Sequence, residues 1–422
     1  MSDGMLENKE VYISPEVAVV YKQLLQTSIV KEGLVWLKEQ NEQTLQDQIE
    51  LTEIPAPTFQ EEMRGKEFKR RLEELGLENI EKDQVGNVFG LYRGTGNGPR
   101  IVVSAHLDTV FPEKTDVKVR RDGNKVYAPG IADDGRGLAV VLTLLKLFNN
   151  FNIETEGDIL FGATVGEEGL GDLNGVKALF KNRDDIDGFI SIEPGSPTRA
   201  TYLATGSHRY RVTFRGKGGH SFGDFGTPSA IHALGRAVAR ISDLQTPDEP
   251  KTTFTVGTIS GGTSVNTIAE EATMLVDIRS TDPEELQKLE IRILEEIHTA
   301  VAEENKRWDT NSIKVELEQV GNRPAGTQSA HSMIVQAATS ATKSLGYEPK
   351  LAPSSSTDSN VPISLGIPAV TLGGGGMFGG AHTLSEYFDA TNSFYGPQQV
   401  FLTILGLVGI KNGSDPVLPK RK

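Results

Sequence analysis

The sequence predicts an α/β protein in which a large, mostly parallel sheet flanked by helices is interrupted by a smaller α+β domain. Before residue 206 and again after residue 320, short apolar runs typical of buried strands alternate with helical segments, which favours a parallel sheet. Between these parts the predicted elements follow the order β-α-β-β-α-β, which is typical of a ferredoxin-like sandwich. At 422 residues the chain is also too long for one ordinary core.

We therefore predict a large domain built from residues 1–206 and 320–422, with residues 207–319 inserted into it. In the first part, apolar residues at helical spacing predict one helix over residues 15–53, which Pro55 and Pro57 end. Thr58 and Glu61 predict a capping box for a helix that ends near Gly76. The remaining predicted elements are strands at 88–92, 100–105, 158–165 and 188–192 and a helix at 134–148.

The inserted domain and the second part of the large domain contribute a further set of predicted elements. In the inserted domain they are strands at 209–215, 253–260, 272–279 and 313–318 and helices at 228–241 and 283–306. In the second part they are helices at 328–345 and 397–410 and a strand at 369–372. The polar tail, residues 416–422, is predicted to be disordered.

Composition and charge exclude several classes of function. The formal net charge of −14 argues against a nucleic-acid partner, which requires a basic surface. The longest apolar stretches are too short to span a bilayer, and residues 1–10 are polar and acidic, unlike a signal peptide. The chain has no cysteine, so any metal must bind nitrogen and oxygen ligands. We expect a cytoplasmic protein that binds neither nucleic acid nor membrane.

The first indication of a functional site is the stretch Val102–Thr109. It is typical of a buried strand that ends in His106-Leu107-Asp108. Side chains alternate along a strand, so His106 and Asp108 project from the same side. A carboxylate in this position can orient the imidazole ring and leave its other nitrogen free for a metal. The alternative is a structural histidine at a strand end.

Further acidic residues and a second histidine follow other predicted strands or lie in glycine-containing turns. They are Asp133-Asp134, Glu167-Glu168, Glu193 and His382. Ligands of open α/β sheets bind at the carboxyl ends of the strands, where these residues are expected to meet. Two histidines and three carboxylates, with two acids to spare, suit two divalent ions that share a bridging carboxylate. The competing interpretations are a helix N-cap for Asp133-Asp134 and a plain acidic turn for Glu167-Glu168.

In this order, the motifs resemble the M20 family of di-metal peptidases and deacylases, from about residue 51 to about residue 411. The resemblance implies a zinc-exopeptidase-like large domain that is catalytic and an inserted domain that serves as lid or dimerisation domain. It implies a cis peptide bond after Asp133. It also implies two divalent ions, expected to be zinc with cobalt or manganese as alternatives.

The resemblance assigns roles to the individual residues as well. Asp133 is expected to bridge the two ions, and Glu167 is expected to be the general base, with Asp108 as a second catalytic residue. The implied metal ligands are His106, Asp133, Glu168, Glu193 and His382.

Three residues of the inserted domain are expected to bind substrate. In the family, a histidine at the motif Gly216–Ser221, here His220, reaches the active site of a neighbouring subunit and polarises the scissile carbonyl. The alternative is a capped turn histidine. Asn266 and Arg279 match family positions that hold the substrate carboxylate, a role that suits a bidentate guanidinium.

The function that the resemblance implies is hydrolysis of an amide bond next to a free carboxylate, in a small peptide or an N-acyl amino acid. The resemblance also implies a homodimer that forms through the inserted domain, with a monomer as the alternative. The stretch Ser354–Asp358 lacks the arginine of the tripeptidase pattern, which argues against a strict tripeptidase. The rival hypotheses are a catalytically silent metal-binding homologue and a nucleotide-binding enzyme. Neither Gly94–Gly98 nor Gly373–Gly376 has the sequence context of a phosphate loop.

Overall fold

The computed structural model describes residues 11–421. The chain divides into two compact units, of which the first runs to Leu203 and resumes at Gln328, and the second spans Ala204–Thr327. Residues 1–10, whose sequence is unlike a signal peptide, lie outside the described residues. No helix between residues 11 and 421 is both long and apolar enough to cross a membrane.

The helices and strands are numbered here in chain order. The helices are α1 (Pro15–Leu24), α2 (Ser28–Glu39), α3 (Asn41–Thr52), α4 (Glu62–Glu74), α5 (Gly135–Asn150), α6 (Asn174–Asn182), α7 (Ala230–Ser242), α8 (Pro283–Arg307), α9 (Met333–Ser344), α10 (Asn360–Ser364) and α11 (Tyr395–Val408). The strands are β1 (Glu78–Lys82), β2 (Val88–Tyr92), β3 (Arg100–His106), β4 (Arg120–Asp122), β5 (Lys125–Tyr127), β6 (Asp158–Thr164), β7 (Gly188–Glu193), β8 (Arg199–Thr201), β9 (Gly206–Arg215), β10 (Gly219–His220), β11 (Thr252–Gly261), β12 (Thr267–Ile268), β13 (Glu271–Ser280), β14 (Lys314–Arg323), β15 (Lys350–Leu351), β16 (Ala369–Gly373), β17 (Met377–Gly379) and β18 (Tyr387–Asp389).

The first unit is built on an eight-stranded sheet in the order β1-β2-β6-β3-β7-β16-β8-β15. The pairs β6–β3, β3–β7, β7–β16 and β8–β15 are parallel, and the other three pairs are antiparallel. The central strands β3, β6 and β16 consist of residues that are almost all buried, as expected for a sheet covered on both faces. The predicted fold class is confirmed.

Parallel pairing brings the carboxyl ends of four central strands to one edge of the sheet. In the register of β3 with β6, His106 lies opposite Thr164, and in that of β7 with β16, Glu193 lies opposite Gly373. The polar residues that follow these strands therefore meet at that edge, as predicted.

Aromatic packing anchors helices to this sheet. Phe148 of α5 makes edge-to-face contacts with Phe161 of β6 and Phe401 of α11, with ring centroids 5.7 Å and 5.9 Å apart. All three side chains are fully buried, and burial of each contributes roughly 1.5–3 kcal/mol. The helix that begins directly after Asp134 is thereby fixed against the sheet.

Three predictions of local structure were wrong. Residues 15–53 form α1, α2 and α3 and not one helix, with breaks near Thr27 and Gln40. Leu24, Val30 and Leu37 are all buried in the same core. The spacing of apolar residues therefore continues from α1 into α2, and the break between the two helices cannot be recognised from that spacing.

The predicted capping box at Thr58 is also absent, because α4 begins only at Glu62 with Glu61 as its N-cap residue. The described part of the tail, residues 416–421, is not disordered. Leu418 is buried in the main core, and the backbone N–H of Arg421 donates to Asp187. The apolar anchor consists of Val417 and Leu418, two residues in a polar segment, which the overall composition of the tail does not reveal.

The second unit has the predicted β-α-β-β-α-β order. Its antiparallel sheet has the strand order β11-β13-β9-β14, which is that of a ferredoxin-like sandwich. Helices α7 and α8 pack on it through a separate core that includes Val212, Met274 and Ile293. A short ribbon of β10 and β12 is added to this plan.

Candidate metal centre

Five side chains predicted as metal ligands are delivered by the edge of the main sheet and by two loops. His106 is the last residue of β3, Glu193 is the last residue of β7, and Glu168 follows β6. Asp133 lies just before α5, and His382 lies in the turn between β17 and β18. His382 has φ 63°, in the left-handed region, which a turn between two short strands can impose.

Asp133 lies at the centre of this group. One of its carboxylate oxygens, Oδ1, is 3.0 Å from Nε2 of His106, and the other, Oδ2, is 3.1 Å from Nε2 of His382. The peptide bond between Asp133 and Asp134 is cis, as the resemblance implied. Each oxygen thus faces a different histidine, which is the arrangement that a bridging carboxylate requires.

Two glutamates complete the donor set. Nε2 of His382 is 2.9 Å from Oε1 of Glu168, and Nε2 of His106 is 3.8 Å from Oε2 of Glu193. Ligand atoms of His106, Asp133 and Glu168 all lie within 4.8 Å of one another. Imidazole nitrogens and carboxylate oxygens converging in this way form a donor set that fits borderline divalent cations such as zinc.

Asp134 forms a second close group with His106 and Glu193, but its oxygens already accept hydrogen bonds. Oδ1 accepts from the backbone N–H of Gly137, and Oδ2 accepts from that of His106 at 3.1 Å. Asp134 is therefore the N-cap residue of α5 and holds the backbone of His106. The helix-cap interpretation applies to Asp134, and Asp133 remains available to the cluster.

The acidic residues of the cluster favour the protonated, positively charged forms of its two histidines. Burial of His106 opposes its protonation, but hydrogen bonds to Asp108 and Asp133 outweigh it and raise its pKa well above the ordinary value. Hydrogen bonds to Asp133 and Glu168 raise the pKa of His382 to about 10. Burial, reinforced by neighbouring carboxylates, raises the pKa of Glu193 well above its usual range. A divalent cation bound among these carboxylates would relieve their mutual repulsion.

Asp108 approaches His106 most closely through its backbone oxygen, whereas the prediction was a contact through its carboxylate. Nδ1 of His106 lies 3.0 Å from the backbone oxygen of Asp108 and 3.5 Å from its carboxylate. The carboxylate accepts hydrogen bonds from the backbone N–H groups of Glu167 at 2.9 Å and Glu168 at 3.0 Å. Asp108 thus connects the histidine to the turn that carries both glutamates.

Glu167 lies in a confined position next to the cluster. Its side chain is buried, and its negative charge is among the causes that raise the pKa of Glu193. Glu168 reaches His382, with Oε1 2.9 Å from Nε2. Adjacent residues in an extended segment project in different directions, so Glu167 points away from the direction that Glu168 takes. This geometry is compatible with different roles for the two acids.

The residues of the missing capping box, Thr58 and Glu61, support the site instead. The hydroxyl of Thr58 donates to Oδ2 of Asp108 at 2.9 Å, and Glu61 accepts from the backbone N–H of Gly166 at 3.1 Å. Their spacing suggested a local cap because the distant partners that they hold are not apparent in the sequence.

Two other buried charged residues were missed by sequence reasoning. The guanidinium of Arg64 donates to the backbone oxygen of Leu107, between His106 and Asp108, at 2.9 Å. Glu386 accepts from the backbone N–H groups of Gly130, Ala132 and Asp133 at 2.9–3.1 Å. Its position in the sequence, four residues after the predicted ligand His382, was a signal that could have identified Glu386 as part of the site.

The structure places the three predicted substrate-binding residues in the second unit. His220 pairs with Thr267 across the β10–β12 ribbon, and the backbone oxygen of Asn266 accepts from Ser221, so His220 and Asn266 are neighbours. Nδ1 of His220 accepts from two backbone N–H groups of its own turn, as in the alternative interpretation of a capped turn histidine.

Arg279 lies elsewhere in this unit and is paired with Asp277, with Nε 2.6 Å from Oδ2. It is eight residues beyond Glu271 along β13, which corresponds to roughly 26 Å at about 3.3 Å per residue. The loop that carries Asn266 is at the Glu271 end of that strand. Within one chain, Asn266 and Arg279 are therefore too far apart to hold the same carboxylate.

Comparison with known proteins identifies a family and relatives that match half of the chain or more. The model of peptidase family M20/M25/M40 matches residues 102–405. The uncharacterised protein YqjE of Bacillus subtilis is 29% identical over 358 residues, which cover 81% of this chain and 92% of that protein. Carboxypeptidase G2 of Pseudomonas sp. is 30% identical over 238 residues, which cover 51% of this chain and 54% of that protein.

Solved structures support the same assignment at the level of the fold. Aminopeptidase PepT of Bacillus cereus superposes with a TM-score of 0.70 at 24% identity, covering 86% of this chain and 98% of that one. YXEP of Bacillus subtilis, a dinuclear metal-binding peptidase of the M20 family, gives a TM-score of 0.65 at 18% identity, covering 88% and 99%. Because the family model matches most of the chain and the cluster has donors suited to metals, this protein is a hydrolytic enzyme that belongs to peptidase family M20/M25/M40.

Proposed function

We propose that this enzyme uses two divalent metal ions to hydrolyse an amide bond next to a free carboxylate in small peptides. The observation that carries the proposal is Asp133, whose two oxygens face His106 and His382 separately. In this proposal His106 and Glu193 would hold one ion, His382 and Glu168 would hold the other, and Asp133 would contribute a carboxylate oxygen to each. We expect zinc, with cobalt or manganese as alternatives.

The ions, when bound, would polarise the scissile carbonyl and make a water molecule more acidic. Glu167 would accept the proton of the attacking water and transfer it to the leaving amine. Asp108 would keep Glu167 in place through the backbone N–H of that residue. Burial of Glu167 limits its exchange of protons with bulk solvent.

The second candidate is removal of an acyl group from an N-acyl amino acid. It is favoured by the match to a succinyl-diaminopimelate desuccinylase of Nitrosococcus oceani, 30% identical over 230 residues. Both candidates share the same bond type and the same adjacent carboxylate. The lack of an arginine in Ser354–Asp358 argues against a strict tripeptidase.

We further propose that the active enzyme is a homodimer in which His220 and Asn266 act on a neighbouring subunit. Their separation from Arg279 along β13 supports this proposal, because one chain cannot bring all three to one substrate. The candidate contact surface consists of the exposed side of α7, which includes Ile231, and the edge strand β11, which would pair with the same elements of a second copy. The net charge and the lack of cysteine are compatible with a cytoplasmic location, which we also propose.

A substrate screen tests the proposed function. The purified protein would be supplied with Zn²⁺, Co²⁺ or Mn²⁺ and incubated with dipeptides, tripeptides and N-acyl amino acids, each as the free acid and as the C-terminal amide. We expect metal-dependent cleavage of free acids and at least about tenfold slower cleavage of the amides, since a carboxylate–guanidinium contact is lost. Equal cleavage of acids and amides would refute the requirement for a carboxylate.

A further inference from the structure

A cavity of about 210 Å³ opens beside the candidate metal centre, within the first unit. Asp133 and Glu193 form part of its wall, so a group bound there would be adjacent to the reacting bond. The cavity is smaller than the roughly 300–1,000 Å³ of pockets for drug-sized ligands. Its size therefore suits one side chain or one short acyl group.

The wall next to Glu193 is held rigidly by backbone contacts. The N–H of Gly374 donates to the backbone oxygen of Glu193 at 2.8 Å, and the N–H of Gly375 donates to that of Gly195 at 3.0 Å. A Cβ atom on Gly373 would lie 2.4 Å from the backbone of Gly195, so only glycine allows this approach. The glycine run thus joins the loop after β7 to the loop after β16.

Arg199 is the positively charged residue of this wall. It begins β8, and Thr201 follows on the same side of the strand, opposite Thr371 of β16. Within residues 11–421, the guanidinium of Arg199 forms neither an ion pair nor a hydrogen bond, in contrast to Arg279, which is paired with Asp277. Arg199 is thus a cation with all its donors available to a ligand.

The rest of the lining combines hydroxyl groups with an apolar surface. Thr201 and Ser355 contribute hydroxyls that have no hydrogen-bond partner among the described residues. Leu372 and Phe378 provide apolar contacts. A cation, two free hydroxyls and an apolar wall match a carboxylate on a short aliphatic stem.

We propose that Arg199 is a specificity-determining residue that binds a carboxylate of the substrate in this cavity. The substrate class would then be amides with an anionic group close to the scissile bond. That carboxylate has two sources, the side chain or acyl group of a glutamyl or succinyl type and the terminal α-carboxylate. The inference rests on the proposed function for its catalytic consequence, but binding of the carboxylate does not depend on turnover.

The kinetic test compares wild type, Arg199→Met and Arg199→Lys, with Arg93→Met as the matched control. Arg93 is an exposed arginine paired with Glu78 just beyond β2, at the opposite end of the sheet. The substrates would be Glu-Ala, Gln-Ala and their C-terminal amides. If the side chain is the source, Arg199→Met lowers kcat/KM for Glu-Ala by at least about tenfold and leaves Gln-Ala nearly unchanged, with partial recovery in Arg199→Lys.

If the α-carboxylate is the source, Arg199→Met slows both free acids equally and spares both amides. An equal effect of Arg199→Met on all four substrates, or no effect on any, would overturn the proposal. The Arg93→Met control is expected to match wild type.

A binding experiment separates this proposal from the proposed hydrolysis. Metal-loaded protein would be titrated by calorimetry with L-glutamate, L-glutamine and L-isoglutamine, which differ only in which carboxylate is present as an amide. Wild type should bind glutamate at least about tenfold more tightly than one of the two amides, and Arg199→Met should lose that preference. If the preference persists in Arg199→Met or is absent from wild type, Arg199 does not bind a carboxylate. Retained preference in a protein without hydrolytic activity would contradict the proposed function alone.

Discussion

Glu386 accepts a hydrogen bond from the backbone N–H of Asp133, with Oε1 3.0 Å from the nitrogen. The same carboxylate accepts from Gly130 and Ala132, and it lies four residues after His382. It therefore joins the loop of the central carboxylate to the turn of the second histidine. Asp133 and His382 come from distant parts of the chain, and this side chain links the two segments that carry them.

The substitution Glu386→Gln should weaken metal binding. A carboxamide replaces one acceptor oxygen by an NH₂ group, which would face backbone N–H donors that it cannot satisfy. We expect the affinity for divalent metal to fall by about 10–100-fold, as for other residues that orient ligands. Competition with a chromophoric chelator measures this change.

The matched control for Glu386→Gln is Glu348→Gln, at an exposed glutamate, which should leave affinity unchanged. Thermal unfolding of the metal-free variants would show whether the fold is retained. An unchanged metal affinity in a folded Glu386→Gln protein would mean that Glu386 does not position the ligands.

The metal content of the protein should reach two equivalents. Two histidines and three carboxylates supply enough donors for two ions about 3.5–4 Å apart that share Asp133. Elemental analysis of protein purified without chelator, and again after saturation with Zn²⁺, measures the stoichiometry. His382→Ala should reduce it to one. A limit of one equivalent in saturated wild type would contradict a dinuclear centre.

Replacement by glutamine should have different consequences at Glu167 and at the adjacent Glu168. Glu167→Gln should retain both metals while kcat falls by a factor on the order of 10² or more, because a general base is lost. Glu168→Gln should lose or weaken one metal, since its Oε1 faces His382. Parallel measurements of kcat and metal content distinguish the two. Near wild-type kcat in Glu167→Gln would show that another residue is the base.

Subunit mixing should reveal whether His220 acts on a neighbouring chain. His220→Ala and Glu167→Gln should each be nearly inactive alone. In the mixed dimer, one site combines an intact Glu167 with an intact His220 from the partner, so part of the activity should return. The assay is activity after subunit exchange, with exchange verified by mass labelling.

The control for subunit mixing is each variant exchanged with itself, which should stay inactive. Failure to regain activity after verified exchange would place the action of His220 within its own chain. Sedimentation of a monomer at assay concentration would exclude a dimeric active site.

Much of the fold and the set of candidate ligands could be predicted from the sequence. His106, Glu168 and Glu193 end or follow strands whose apolar runs identify them, and parallel pairing then brings strand ends together. The β-α-β-β-α-β order of the second unit was equally evident, because each element has its own periodicity. These features depend on local patterns and on general rules of sheet topology.

Only the tertiary structure decided which residues support the candidate metal ligands. Thr58 and Glu61 have the spacing of a capping box, yet they bind Asp108 and Gly166. Arg64 and Glu386 form hydrogen bonds with backbone atoms that are distant in the sequence. Arg199 lines a cavity. A sequence pattern records which face of an element is apolar. It does not record which distant backbone group a buried charge will meet, because that depends on how the packed elements bring the chain together.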